Sequence, residues 1–527
     1  MKASDLLVAC LEREGVQHVF GLPGEEMEDL LFSLRDSDVT FVPTRHEQGA
    51  AFMADVHGRL TGRAGVCLAT LGPGATNLLT GVADAHLDKS PLVAITAQGS
   101  LERLHQESHQ AINVLGMFAP VTKWNTQLDS PEIIHESVRK AFKVAEHEKP
   151  GATHLELPED VAAETTDKRP LPAQSDPHSA APSAEALDRV ETLLAEADRP
   201  LLIAGNGAVR TRAADSLRTL VACTDLPVVS TYMGKGAVSD DDPHSLMTLD
   251  SGDADEAASA IAEADLILTV GYDIAEHDPA DWGTGDAALV HIDSEPAEVY
   301  EAYAPEVEVV ADIGRTLEAL ADWCATAGVD FGTDWYADLH ARIVDDVDRT
   351  PGDEAPFALR DTLPPLRDAM APADVLISDV GSHKMAIAQN FPTYEPNTCI
   401  ISNGLASMGI AVPGGLAADL AVDANVVAAT GDGGFLMNAA EIETATRLGA
   451  AYTIVVFNDD DYGLISEKQE SHTGESFGTG LTNPDLPALA ESFGIAGHRP
   501  TTPDELREAF ATAVGSDAMH LIEVPVA

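Results

Sequence analysis

A chain of 527 residues, 45% hydrophobic and 22% charged, has room for about two to four globular domains, each with its own core. Thirty-one Lys and Arg face 87 Asp and Glu, and the net charge of −56 excludes a nucleic-acid or anionic-membrane binder, whose partner would be repelled. No run of ~20 apolar residues reads as a membrane span, and five dispersed cysteines (Cys10, Cys67, Cys223, Cys324, Cys399) support neither a disulfide framework nor a thiolate zinc site.

In chain order, Met1 to Phe20 has helical periodicity without the apolar stretch and cleavage site of a secretory signal, so a cytoplasmic location is expected. "VCLAT", "PLVAITAQ" and "THLELP" then read as strands between amphipathic helices. A Pro-, Ser- and Ala-rich linker, Thr165 to Glu185, ends this piece. "PLLIAGNG", "LPVVST", "DLILTVGYD" and "ALVHIDSEP" are the strands of a second piece, closed by the linker Asp346 to Pro356. "DVLISDVG", "NVVAATGDG" and "TIVVFNDDD" belong to a third. The alternation predicts an α/β protein of three doubly wound parallel-sheet domains, at 1–165, 185–345 and 357–527. "GVCLATLGPGATNLLTGVADA" and "NVVAATGDGGFLMNAAEIETA" are both strand, glycine turn, helix, which predicts a duplicated unit with a third between the copies. The acidic residues lie in short scattered runs such as "SDDDP" and "NDDDY" rather than in a tail, the pattern expected of a halophilic surface screened by high salt.

"TGDGGFLMNAAE", starting at Thr430, poses a conflict. A strand, glycine turn and helix offer an anion the free N–H groups of the helix start, yet Asp432 stands inside that turn and would repel a diphosphate. A divalent cation between them resolves it, since Mg²⁺ is commonly held by one or two carboxylates plus phosphate oxygens. The next strand ends in Asn458, Asp459, Asp460 and Asp461, so Asp432 and Asp459 at adjacent strand ends can grip one metal. A nicotinamide fingerprint would instead need glycine where Leu436 stands.

The GDG turn followed 27 residues later by an acidic cluster resembles the cofactor motif of thiamine diphosphate (ThDP) enzymes. "FGLPGEEMEDLL", "TRHEQGAAFMADVHGRLTG" and "LATLGPGATNLLTGVADA" resemble the pyrimidine-binding domain of the acetolactate synthase group. "SDVGSHKMAIAQNF", "SNGLASMGIAVPGGLAADL" and "GDGGFLMNAAEIETATRLG" resemble its diphosphate-binding domain, and "DLILTVGYDIAEHDPADW" its catabolic, flavin-independent members. The resemblance implies a carboligase that decarboxylates pyruvate and joins the hydroxyethyl–ThDP carbanion to a second 2-oxo acid, giving 2-acetolactate. It also implies ThDP and Mg²⁺ as cofactors, speaks against FAD, and places the active sites between the chains of a homodimer or homotetramer.

By the same resemblance, Glu47 in "RHEQGAA" hydrogen-bonds the cofactor's pyrimidine and promotes its imino tautomer, a role that asks for a poorly solvated pocket. Met408 is the apolar wedge that bends the cofactor, and the backbone of Ala406 meets the pyrimidine amine. Gly381, Ser382, His383, Gly431, Gly433, Gly434, Tyr462 and Gly463 surround the diphosphate. Asp432 and Asp459 bind Mg²⁺ by side chains and Asp461 by its carbonyl. Gly72, Gly74 and Asn77 in "LGPGATN" shape the loop beneath the pyrimidine, and Gln110 with His109 lies near cofactor and substrate as a further catalytic pair.

Three positions depart from the pattern. Glu26 replaces a lysine that in catabolic relatives meets the pyruvate carboxylate, Ser466 to Lys468 replaces an aromatic, and Arg210 in "AGNGAVR" stands where a dinucleotide fingerprint has its third glycine. The first two keep open another ThDP-dependent 2-oxo acid decarboxylase or carboligase. A third alternative, a non-catalytic cofactor-binding or regulatory subunit, is opposed by the joint presence of Glu47, Asp432 and Asp459.

Overall fold

Strands covered on both faces read as unbroken apolar runs, and the computed structural model, which describes residues 1–172, 179–250, 256–283 and 285–527, arranges such runs into three six-stranded sheets, parallel at every pairing. Residues 173–178 of the first expected linker lie outside the described residues. The first sheet holds β1 (His18–Gly21), β2 (Thr40–Pro43), β3 (Gly65–Ala69), β4 (Leu92–Gln98), β5 (Trp124–Gln127) and β6 (Ala152–Pro158) in the order β2-β1-β3-β4-β6-β5. The second holds β7 (Pro200–Ala204), β8 (Val228–Ser230), β9 (Ser245–Thr248), β10 (Leu266–Val270), β11 (Ala288–Asp293) and β12 (Val307–Val310) in the order β12-β11-β10-β7-β8-β9. The third holds β13 (Val375–Ser378), β14 (Cys399–Ile401), β15 (Val426–Gly431), β16 (Thr453–Asn458), β17 (Ala496–His498) and β18 (His520–Pro525) in the order β14-β13-β15-β16-β18-β17.

Renumbered from its own first strand, the third sheet repeats the order of the first, so the echo between their glycine-turn segments reflects a duplicated topology. The middle sheet has the doubly wound order of a dinucleotide-binding fold. Among the described residues no helix is long and apolar enough to cross a membrane. The helical periodicity of Met1 to Phe20 breaks at Gly15, whose φ of 90° caps the helix Ala3–Glu14, and His18–Gly21 is a strand.

The first and third units share a core. The helix Glu47–Thr61 buries Ala50, Phe52, Met53 and Val56 against Ala411, Val412, Leu416 and Ala417 of the helix Ala411–Ala421. Gly414 permits the approach, since a Cβ there would lie 2.9 Å from Val56 Cγ2. Beside this contact lies a buried ionic cluster. Arg59 donates to Asp55 at 2.9 and 3.1 Å, to Asp88, and to the carbonyl of Ile401 at 2.8 Å. The carboxylates in turn hold the loop after β14. Asp84 accepts Ser402 Oγ at 2.9 Å and Ser407 N at 3.3 Å, and Asp88 accepts the N–H groups of Asn403 and Gly404.

Removing one member of such a cluster leaves uncompensated charge in the interior. Arg59→Met is therefore expected to cost about 3–5 kcal/mol, read as a drop in the denaturation midpoint at fixed salt.

Candidate active site

In parallel sheets ligands gather beyond the carboxyl ends of the strands, and in the third unit β13, β15 and β16 end around a cavity of about 110 Å³. Gly381, Ser382, His383, Met408, Gly431 to Gly434, Asp459, Asp461, Tyr462 and Gly463 all line it. Ser382 and His383 open the helix Ser382–Asn390, whose start carries no side-chain cap. Ser382 Oγ and His383 Nε2 are buried without a hydrogen-bond partner. Burial pushes the His383 pKa down to about 3, so the imidazole is neutral at pH 7, and it stacks on Phe457 at 6.0 Å. Buried polar atoms left unpaired carry the full cost of desolvation, which an oxyanion in the cavity would remove. The glycines keep the space open: a Cβ on Gly433 would lie 2.6 Å from the Tyr462 ring, and one on Gly463 would lie 2.5 Å from Asp459 Oδ2. These walls and unpaired atoms fit a diphosphate.

The carboxylates fit its counter-ion. Asp432 opens the helix Asp432–Asn438, and burial, reinforced by Asp459 and Asp460, pushes its pKa up to about 6. Burial also raises Asp459. Asp461 differs, because its carboxylate accepts from Ser466 Oγ and from Tyr462 N, and the Ser466 bond holds it below the usual carboxylate range. Those bonds use its side chain and not its carbonyl. Among the described residues no group of three or more His, Cys, Asp or Glu is set to hold a metal. Two carboxylates with oxygens from the backbone and a phosphate match the habits of Mg²⁺.

Two residues here escaped the sequence reading. Asn483 Nδ2 donates to Asp432 Oδ2 at 2.5 Å, Asp460 Oδ1 at 2.8 Å and Asn458 Oδ1 at 3.1 Å, so an amide's positive end lies among the acids. Asp379, fully buried at the end of β13, accepts Gly409 N at 2.7 Å, Val380 N at 2.8 Å, Thr430 Oγ1 at 3.1 Å and Ala411 N at 3.3 Å. It thereby ties together three segments of the cavity wall. An acid at the end of the apolar run "VLISD" was the available signal for it.

The first unit builds a separate pocket. Glu47 begins the helix Glu47–Thr61, is 5% exposed, and accepts Asn77 Nδ2 at 3.0 Å. A Cβ on Gly74 would lie 3.3 Å from Glu47 Oε1, and one on Gly72 would lie 2.6 Å from the carbonyl of Gln110. Gly72 and Gln110 both have left-handed φ, 54° and 56°. His109 and Gln110 are exposed on their loop. The start of the Glu47 helix is held by Glu441 of the third unit, also missed in sequence. Its carboxylate accepts Arg45 N and His46 N at 3.0 Å, and Gly49 has no room for a Cβ against it.

Within one chain, none of Glu47, Gly72, Gly74, Asn77, His109 and Gln110 lines the third-unit cavity. Ala406, at φ 55°, stands in the loop leading to Met408. Glu26 is not left as a bare negative charge, since its carboxylate lies 3.5 Å from Arg103 Nη2 and accepts Thr70 Oγ1 at 3.1 Å. Lys468 is exposed.

Three family models match the chain: the N-terminal thiamine pyrophosphate-binding domain of thiamine pyrophosphate enzymes at residues 1–117, their central domain at 187–320 and their C-terminal thiamine pyrophosphate-binding domain at 379–524. An acetolactate synthase of Bacillus subtilis is 32% identical, over 100% of this chain and 93% of its own length. A catabolic acetolactate synthase of Raoultella terrigena is 34% identical over 99% and 94%. A probable acetolactate synthase large subunit of Methanocaldococcus jannaschii is 32% identical over 100% and 92%.

The raised Asp432 carboxyl has a consequence for the metal-free protein. A carboxyl that holds its proton more tightly when folded favours the fold at low pH, and that contribution is lost as pH rises from 3.8 through the folded value near 6. Metal-free protein should therefore lose stability across this window, and Asp432→Asn should flatten the loss, as measured by urea midpoints at each pH.

Proposed function

The chain belongs to the acetolactate synthase family of thiamine pyrophosphate enzymes, and we propose that it decarboxylates pyruvate and joins the two-carbon remainder to a second 2-oxo acid, giving 2-acetolactate. The observation that carries this reading is the pairing of two half-sites: an oxyanion cavity under Asp432 and Asp459 in one unit, and the buried, hydrogen-bonded Glu47 in another. ThDP, when bound, supplies the carbanion chemistry. Ser382, His383 and the turn at Gly431, Gly433 and Gly434 receive its diphosphate, with Tyr462 and Gly463 closing the wall. Asp432 and Asp459, with the Asp461 carbonyl, hold Mg²⁺ against it. Glu47, oriented by Asn77, holds the proton at the pyrimidine ring, while Met408 and the backbone of Ala406 set the ring's position. Gln110 and His109 serve the substrate side, above Gly72 and Gly74.

The absence of first-unit residues from the cavity supports a homodimer as the minimum assembly, with each active site shared by two chains, and a homotetramer is compatible with the same pairing. Arg210, where a dinucleotide turn has glycine, is engaged by Glu148 and Asp273 at 3.2 and 3.4 Å, which favours a flavin-free enzyme. We further read the chain as a cytoplasmic, halophilic protein of three domains, at 1–165, 185–345 and 357–527, on its charge and linkers.

With pyruvate, ThDP and Mg²⁺, the product is expected to be 2-acetolactate, at a rate that rises with KCl into the molar range. Release of CO₂ without that product, or preference for another 2-oxo acid in a panel, would replace this reading by the related decarboxylase or carboligase. Glu47→Gln should lower kcat/KM by about 10²–10⁴-fold, the usual contribution of a positioned acid–base group. Separately inactive Glu47→Gln and Asp432→Ala chains, dissociated and reassembled together, should regain about a quarter of wild-type activity, because half the dimers are mixed and each mixed dimer has one intact site. No recovery in mixtures shown by mass to contain mixed dimers would mean that each chain builds its own site.

A further inference from the structure

A second cavity of about 110 Å³ lies where the three units meet, and it shares no lining residue with the diphosphate cavity. Its acids are already engaged. Asp88 accepts from Arg59, Asn403 N and Gly404 N; Glu146 accepts Ala64 N at 3.0 Å and pairs with Arg63 at 3.1 Å; Glu148 pairs with Arg210 Nε at 3.2 Å. Its donors are not. Arg210 Nη2 and Asn397 Nδ2 are both buried without a hydrogen-bond partner, and the Arg210 side chain is only 8% exposed. Lys89, half-buried on the same wall, makes no hydrogen bond or ion pair among the described residues. Each of the three comes from a different unit: Lys89 from the first, Arg210 from the second, Asn397 from the third.

This is the reverse of what composition leads one to expect. A chain with 87 acids and 31 Lys and Arg has carboxylates to spare, yet leaves donors unmatched in its interior. Burying an unpaired donor forfeits its hydration with nothing in return, most of all when the donor is charged. Lys89 and Asn397 also adopt left-handed backbone, φ 57° and 60°, a conformation that lysine seldom takes unless its surroundings impose it. The donors are thus presented by a rigid frame. At roughly 10–15 Å³ per water, the cavity has room for several waters, and so for one compact polyatomic anion.

We propose that this junction binds a phosphate-type oxyanion, held by Lys89, Arg210 and Asn397 together, which links the three units. Donors contributed by three units to one lining suit a tetrahedral group with several acceptor oxygens better than a planar carboxylate, for which a single guanidinium edge suffices. Val209, Met233 and Ile400 form an apolar side of the same cavity, able to cover the body of a small phosphorylated metabolite. Free phosphate and such a metabolite present the same group to the donors.

The test uses holoenzyme saturated with ThDP and Mg²⁺, so that the diphosphate seat is already filled, at constant KCl. Inorganic phosphate and adenosine monophosphate are titrated separately by calorimetry and by thermal unfolding. Saturable binding is expected, with a rise in unfolding temperature, because a ligand bound only by the folded state stabilises it by mass action. Asn397→Asp keeps size and tolerates the left-handed backbone while replacing the amide donor with a carboxylate; it should weaken binding by about tenfold or more, as a loss of one charge-assisted contact implies. Lys89→Met should do the same, and it stands as an independent arm if the first variant does not fold. Turnover of pyruvate at saturating cofactor should stay within about twofold of wild type in both, because neither residue lines the cavity that holds the diphosphate. Tighter binding of the nucleotide than of phosphate, lost in the variants, identifies a phosphorylated metabolite as the occupant, and equal binding identifies the free anion. The proposal is overturned if neither probe saturates, if both variants bind as wild type, or if the variants change oligomer mass and not affinity, which would assign the donors to an interface between chains.

Discussion

Asp432 carries negative charge into a turn that an anion must also occupy, and much of the third unit is arranged around that conflict. Its carboxyl is held above the normal range by burial and by the neighbouring Asp459 and Asp460. Asn483 lends its amide hydrogens to Asp432, Asp460 and Asn458, a partial positive charge in the middle of three oxygens. A divalent ion would do the same job with far more charge, and would take phosphate oxygens to complete its shell. On the function proposed above, metal and diphosphate would each be poor occupants alone and good occupants together. The unpaired Ser382 hydroxyl and the neutral His383 ring complete the arrangement beside Gly463 and Gly431, without adding a second cation.

The interior acids play a different part from those at the surface. Asp379, Asp84, Asp88 and Glu441 are buried, and each accepts main-chain N–H groups from a segment remote in sequence. A carboxylate has four lone-pair directions, so it can gather several free N–H groups that no helix or strand satisfies. Asp84 and Asp88 use this capacity to fix the loop that carries Ala406 and Met408, and Glu441 uses it to fix the residues before Glu47. The third unit thus holds the Glu47 helix of the first, while the first holds the loop of the third that carries Ala406 and Met408. Each half-site is braced by the domain that contributes the other kind of half-site.

What could be read without coordinates was whatever is local. The glycine turns, the Asp432 and Asp459 spacing, and the three α/β units show as short patterns because strand, turn and helix each impose a period or a residue type over a few positions. The duplicated strand order of the first and third sheets was foreshadowed by one repeated strand–turn–helix segment. Short strands such as Thr40–Pro43 and Ala496–His498 were not legible, being too brief to show a period and partly exposed at sheet margins. Asp379, Glu441, Asn483 and Arg103 were missed for another reason. Their roles exist only through partners brought close by the fold, 395 residues away between Glu441 and His46, and apart from the acid that ends the run "VLISD" at Asp379 nothing in the flanking residues records it. Glu26 illustrates the converse: its charge looked repulsive in isolation because Arg103 lies far along the chain.

Charge acts on two scales in this molecule, and salt separates them. A net charge of −56 makes the surface repel itself, a penalty felt most in dilute solution. In molar salt the Debye length shrinks to about 3 Å, so exposed carboxylates cease to sense one another beyond their immediate neighbours. Arg59 and its three aspartates feel that effect far less, with side chains 7% exposed for the arginine and none for the acids, because buried pairs are screened much less than exposed ones. High salt therefore relieves the exterior without loosening the interior clamps. A chain built the other way, with its braces as exposed ion pairs, would weaken under the same conditions. Arg59, which pairs with three aspartates, is the clearest case of an interior clamp, its side chain only 7% exposed.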